Sequence, residues 1–217
     1  MNKIILDLCG GTGSWSNPYK KAGYDVKLIT LPQYDLFDTR TCERKIEFQD
    51  KFTGNIEAVN ADEVYGILAA PTCTMFSLAR TTAKTPRDFE SGMKLVKKCI
   101  EIVWFCRSSN NSMLEFWALE NPWGYLRQFL GRPAFSFSPE EYGENYTKKT
   151  DLWGYFNIPR KSPYKLTFDE QLRSRRNNRV LPELPDNYII PEGWNRQAAR
   201  RSMTSSKFAE AFYKANK

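Results

Sequence analysis

The run Val64-Tyr65-Gly66-Ile67-Leu68-Ala69 leads into Ala70-Pro71-Thr72-Cys73-Thr74-Met75-Phe76-Ser77. Its first six residues are apolar throughout and have the length of a strand buried on both faces, as in a parallel sheet. Pro71 has no N–H to give to a ladder, so the strand stops there and the turn stiffens. Cys73 then stands just past the C-terminal end of a buried strand, where open α/β sheets hold their ligands. A lone cysteine in a loop is more often a small buried hydrophobe than a reactive group. What lies elsewhere in the chain reverses that reading.

Working outward, a similar unit opens the sequence. Lys3-Ile4-Ile5-Leu6-Asp7-Leu8 reads as a short strand, followed by Cys9-Gly10-Gly11-Thr12-Gly13-Ser14-Trp15-Ser16 and a short helix near 17–22. Strand, glycine turn and helix form the first unit of a nucleotide-binding α/β fold, because glycine lets the backbone approach a ligand closely. The spacing is not GxGxxG, and no GK[ST] follows. A second strand is predicted over 25–31, ended by Pro32, with Asp35 and Asp38 in the polar turn beyond it. Residues 39–63 show no clear period. Downstream, Leu95, Val96, Cys99, Ile100, Val103 and Trp104 recur at helical spacing and predict a helix over 89–107, with Cys99 and Cys106 in the core. Residues 113–119 form another buried-strand pattern, which ends in Glu120-Asn121-Pro122 before a helix expected near Trp123. Glu120 directly after such a strand is costly to bury without a partner. Residues 131–143 read as loop and 157–197 as irregular. Thr204-Ser205-Ser206 caps a closing amphipathic helix that carries Phe208, Ala211, Phe212 and Ala215.

The 217 residues suit one domain with a full core. There is no histidine, which removes the commonest zinc ligand and the commonest general base. The five cysteines make no CxxC pair, so a reduced, metal-free protein of the cytoplasm is expected. No apolar run approaches the ~20 residues of a membrane span, and no signal-peptide pattern opens the chain. Charge is unevenly spread. Residues 1–147 hold 17 Lys and Arg against 18 Asp and Glu, whereas residues 148–217 hold 15 against 7. That basic third, with Arg173 and Arg175, is either a solvated surface or a grip on a phosphate backbone.

In this order the pieces resemble the cytosine-5 DNA methyltransferases, in particular the short phage and prophage type. Asp7-Leu8-Cys9-Gly10-Gly11-Thr12-Gly13-Ser14-Trp15 is similar to their first motif, DLFxGxGG and an aromatic, with Cys9 in place of Phe and Ser14 in place of the last Gly. Pro71-Thr72-Cys73-Thr74-Met75-Phe76-Ser77 resembles the nucleophile motif PPCxxFS, with Thr72 where a second Pro is usual. Glu120-Asn121-Pro122 looks like the ENV motif, written ENP in the phage-like group. Tyr142-Gly143, Tyr146-Thr147-Lys148-Lys149-Thr150 and Leu152-Trp153 resemble a YG–YTKRT–LW element that stands where larger relatives carry QxRxR. The likeness covers nearly the whole chain except about 155–197.

The resemblance implies an α/β fold: a Rossmann-like class I methyltransferase sheet with helices on both faces and a minimal target-recognition region. One domain over 1–217 is expected, with 155–197 as a basic insertion or reduced recognition segment. It implies methylation of cytosine C5 in DNA, with Cys73 as nucleophile and Glu120 at ring N3. S-adenosylmethionine is the implied cofactor, held by Cys9, Gly10, Gly11, Thr12, Gly13, Trp15, Asp35 and Pro71. The position that normally ends the second strand in a ribose-binding acid here reads Ile29-Thr30-Leu31. Ser77, Arg80, Asn121, Lys148, Lys149, Arg173 and Arg175 are the implied nucleic-acid contacts. No metal and no membrane partner is expected, and a monomer in a bacterial host cell is. The same chemistry on RNA is the alternative enzyme reading, and a methyltransferase-like binding protein with little turnover is the alternative from another class. The Asp/Asn-Pro-Pro-Tyr signature of amino-methyltransferases is absent.

Overall fold

The structure, a computed structural model, describes residues 3–81, 83–175 and 181–217. Among them, in chain order, run β1 (Ile4–Leu8), α1 (Asn17–Lys21), β2 (Asp25–Ile29), β3 (Arg40–Cys42), β4 (Lys45–Gln49), β5 (Ile56–Asn60) and β6 (Val64–Ala69). Then come α2 (Phe89–Arg107), β7 (Phe116–Pro122), α3 (Arg127–Leu130), β8 (Phe135–Phe137), β9 (Thr150–Tyr155), α4 (Phe168–Arg175), α5 (Arg196–Ser202) and α6 (Ser206–Ala215). A six-stranded sheet has the order β2-β1-β6-β7-β9-β8, and β3-β4-β5 form a separate three-stranded sheet. β2, β1, β6 and β7 are parallel, whereas β9 runs antiparallel to both β7 and β8. This is an α/β fold with a mostly parallel sheet.

Alternation along the strands sends side chains to two cores. Ile4, Leu6 and Leu8 of β1 join Ile67 and Ala69 of β6, Val96, Cys99, Ile102, Val103 and Cys106 of α2, and Ile46, Phe48 and Val59 of the small sheet. Ile5 points the other way, with Leu68, Phe116 and Leu152, against Trp15, Tyr19 of α1 and Phe208 and Phe212 of α6. Gly66 makes room for the ring of its cross-strand partner on β7: a methyl there would lie 2.2 Å from the Phe116 ring. β1 and β6 are neighbours, but the chain leaves β1 toward β2 on one side and reaches β7 on the other. The strand order therefore reverses between β1 and β6, and at such a point open α/β sheets form their ligand crevice, outside the C-terminal ends of the strands.

Several predicted boundaries move. The strand expected over 113–119 runs from Phe116 to Pro122, because β9 pairs with it through Glu120–Leu152, Asn121–Asp151 and Pro122–Thr150. Glu120 thus sits in the strand itself. The helix expected near Trp123 starts only at Arg127. The stretch 39–63 is an antiparallel meander, and β8 lies in a stretch read as loop. Within 157–197 the chain forms α4 and the start of α5.

Candidate functional site

Two turns meet at the crevice. After β1, Cys9 and Gly11 adopt left-handed φ values of 59° and 56°, and Gly13 one of 68°. Glycine is needed at Gly10 for another reason: a methyl there would sit 2.2 Å from the Asp7 carboxylate, which is wholly buried beneath it. Ser16 Oγ donates to Asp7 Oδ2 at 2.5 Å, and burial pushes the Asp7 carboxyl up to about 6 against that hydrogen bond. The turn is tied to the end of β2 by Gly11 N–H donating to Thr30 Oγ1 at 3.1 Å. Asp7 Oδ1, Thr12 Oγ1 and Trp15 Nε1 are buried without a hydrogen-bond partner among the described residues. Buried polar atoms are rarely left so.

The second turn follows β6. The carbonyl of Cys73 accepts from the amides of Phe76 and Ser77 at 2.9 and 2.8 Å, closing the loop around a half-buried thiol. Asn121 Nδ2 donates to the Pro71 carbonyl at 3.0 Å, so the end of β7 fixes the approach to Cys73. Ser77 bridges to Gly124, and Tyr125 N–H donates to the Phe76 carbonyl at 2.9 Å. Arg87, unmarked in the sequence, clamps the same loop by donating to the carbonyls of Met75 and Ser77 at 2.8 and 2.9 Å. Glu120 is buried on β7, with the Lys148 ammonium 3.8 Å from its carboxylate.

These groups act on one another electrically. Burial pushes the Cys73 thiol up; Lys148 opposes this and Glu120 adds to it. Burial likewise pushes Glu120 up, with Lys148 opposing and Asp151 adding. Asp151 is itself held by Arg127, which donates to both of its oxygens at 2.6 Å. A thiol, a carboxyl whose pKa burial raises and an ammonium thus share one crevice end. That set suits addition of sulfur to an electrophilic ring with a proton donor at hand.

No protein-family model matches the chain, and no curated protein matches it.

The structure brings Cys73, Glu120, Asn121, Pro71 and Lys148 together, with Ser77 in the Cys73 loop, and makes Gly10 to Gly13 the neighbouring turn. Other expected residues sit differently. Trp15 is 1% exposed and packs on Phe208 and Phe212, so its indole serves the core rather than the open turn. One Asp35 oxygen caps the Phe37 amide and the other pairs with Lys51 at 3.2 Å, which engages both. The Arg80 guanidinium folds back onto Thr85 and the Pro86 carbonyl within its own loop. Arg173 is exposed on α4, and the side chain of Arg175 lies outside the described residues.

The basic segment also lies closer than expected. The Tyr188 hydroxyl and Ser202 Oγ are 3.8 and 3.9 Å from where a Gly11 methyl would be, and Thr204 N–H donates to Ser14 Oγ at 3.0 Å. Tyr188 and Ser202 therefore cover the glycine turn, and the lack of any period over 157–197 hid Tyr188. Among the described residues no cluster of His, Cys, Asp and Glu is placed to hold a metal ion, and no helix is long and apolar enough to cross a membrane.

Proposed function

We propose that the protein transfers a methyl group to C5 of cytosine in DNA through a covalent adduct at Cys73. The observation that carries the reading is the meeting of Cys73, Glu120 and Lys148 at the C-terminal edge of a sheet whose order reverses beside a glycine turn. A doubly wound sheet of this kind is the frame that a Rossmann-like methyltransferase needs.

C5 of cytosine is a weak nucleophile, so the ring must be made electron-rich first. The Cys73 thiolate bonds to C6, and the electron pair of the 5,6 double bond moves to C5. Glu120, which burial biases toward its protonated form, donates to ring N3 as negative charge builds there. The proton shared with N3 offsets the negative charge that the adduct places on the ring, and it returns to Glu120 when C5 takes the methyl group. Lys148 stabilises the thiolate before attack and after release. S-adenosylmethionine, when bound, supplies the electrophilic methyl group that C5 takes. Loss of the C5 hydrogen as a proton to solvent then restores the double bond, breaks the C6–S bond and returns Cys73 as thiolate.

The residues of the first turn fit that cofactor. Gly11 and Gly13 turn the backbone at left-handed φ beneath Tyr188 and Ser202, and the buried Thr12 hydroxyl still lacks the polar partner that a ligand would supply. Asn121 keeps the Pro71 carbonyl from turning into the crevice. Since C5 is inaccessible inside a duplex, the base must be presented unstacked. Bisulfite sequencing of DNA from cells expressing the protein tests the activity. Protected cytosines recurring in one sequence context with wild type and absent with Cys73→Ser support it; full conversion in both refutes it.

A further inference from the structure

Next to Glu120, the chain leaves β7 through Pro122 and exposes the indole of Trp123. It is 43% exposed, although large aromatics are costly to leave in water. Its backbone is nevertheless fixed: Trp123 N–H donates to the Lys149 carbonyl at 2.9 Å. Two cations flank the ring, with Lys149 Nζ and Arg127 Cζ each 5.6 Å from its centre. Arg127 is locked by its paired bonds to Asp151, whereas Lys149 stands on a flexible stem. The Ser77–Gly124 bridge joins this segment to the Cys73 loop, and one step outward from that bridge Leu78 is 41% exposed. An exposed aromatic on a fixed backbone, with two cations near its ring, thus borders the crevice that holds Cys73 and Glu120.

We infer that Trp123 is a stacking platform for an unpaired base of the strand that carries the target cytosine, with Lys149 neutralising its phosphates and Arg127, paired with Asp151, bracing the ring. This rests on the reading of Cys73 and Glu120 as a cytosine site and adds the strand state of the substrate. The reasoning is physical. Base–aromatic stacking needs a bare base face, and inside a duplex both faces are covered by neighbouring bases. A duplex must be opened first, at a cost of a few kcal/mol, whereas a single strand presents its bases freely. Aromatics interleaved with cations are the surface that single strands recognise without reading sequence. The charge agrees, because Lys149 belongs to the basic third of the chain, 148–217. Binding therefore favours single-stranded nucleic acid, and the indole holds the neighbour of the target in register with Cys73.

The test is fluorescence anisotropy with labelled homopolymers of about twelve nucleotides, a length within the usual single-strand site size. Oligothymidylate, oligouridylate and a duplex of equal length are titrated with wild type, Trp123→Ala and Trp123→Phe, each first shown by thermal melting to fold. None of the three probes contains the reactive cytosine, so stacking is separated from chemistry. Wild type should bind a single strand more tightly than the duplex. Trp123→Ala should lose about tenfold or more on the single strand, Trp123→Phe should keep most of the affinity, and duplex binding should change little. Preference for oligothymidylate assigns the platform to DNA, and preference for oligouridylate to RNA. Unchanged single-strand affinity in Trp123→Ala, or an equal loss on the duplex, overturns the platform even where the Cys73 adduct still forms. No binding of any probe by wild type overturns the platform and the nucleic-acid reading together.

Discussion

Gly10→Ala isolates the steric fit beneath the first turn. Gly10 does not adopt a left-handed φ, so alanine suffers no backbone strain there, and the only penalty is space. The new methyl would lie 2.2 Å from Asp7 Oδ1, 2.3 Å from Cγ and 2.5 Å from Oδ2. A carboxylate at the tip of a free side chain would swing away. Asp7 cannot, because it is wholly buried and held by Ser16. Overpacking of this kind costs roughly 1–3 kcal/mol, and a contact this short belongs in the upper half. At about 2–4 °C per kcal/mol for a chain of this size, the melting temperature should fall by about 4–12 °C. The assay is thermal unfolding of Gly10→Ala alone and in an Asp7→Ala background. Removing the carboxylate should recover about 1 kcal/mol or more of the loss, as expected for residues in contact. Gly11→Ala, whose cost is left-handed strain with neighbours 3.8 Å or more away, should show no such recovery. An identical Gly10→Ala penalty in both backgrounds would refute the placement of Asp7 under the turn.

Asp7 also predicts a pH dependence. Its folded value is raised from 3.8 to about 6 by burial, so the folded state holds this proton more tightly than the unfolded chain does. The associated stability is present below about pH 4 and is lost as pH rises through about 6, by about 3 kcal/mol. Denaturant titrations of Asp7→Asn should lack that decline, and wild-type and mutant curves running parallel from pH 4 to 7 would contradict it. In the basic third, Arg173→Ala should flatten the slope of log K against log salt by about 0.9 on duplex DNA, or about 0.7 on a single strand. An unchanged slope means that Arg173 touches solvent alone.

Much of the frame was legible because local pattern and tertiary structure agree. β6 and α2 fall where the apolar run and the helical period put them. The meander was illegible for a specific reason. Its β3–β4 turn is made by Glu43 and Arg44, both left-handed at φ 46° and 71°, without the Asn-Gly or Asp-Gly that announces such a turn. β7 outran its apolar pattern because its last residues are set by pairing with β9, far along the chain. Distance in sequence also explains the misplaced site residues. Trp15 is drawn into the core by α6, and Asp35 is engaged by Lys51, and neither partner is near it in the sequence. Cys73 and Glu120 were visible as polar residues at the ends of apolar strands. Lys148 gains its place beside them only because β9 folds back along β7.

The central claim is that Cys73 forms a bond to the cytosine ring, and trapping that bond tests it most directly. DNA bearing 5-fluorocytosine at a methylated site keeps a fluorine that cannot leave as the C5 proton does, so the sulfur stays attached. In the presence of S-adenosylmethionine, wild-type protein should give an adduct that survives SDS electrophoresis, and Cys73→Ser should give none. An adduct of equal yield in Cys73→Ser, or none with wild-type protein on DNA that it methylates, would contradict the account.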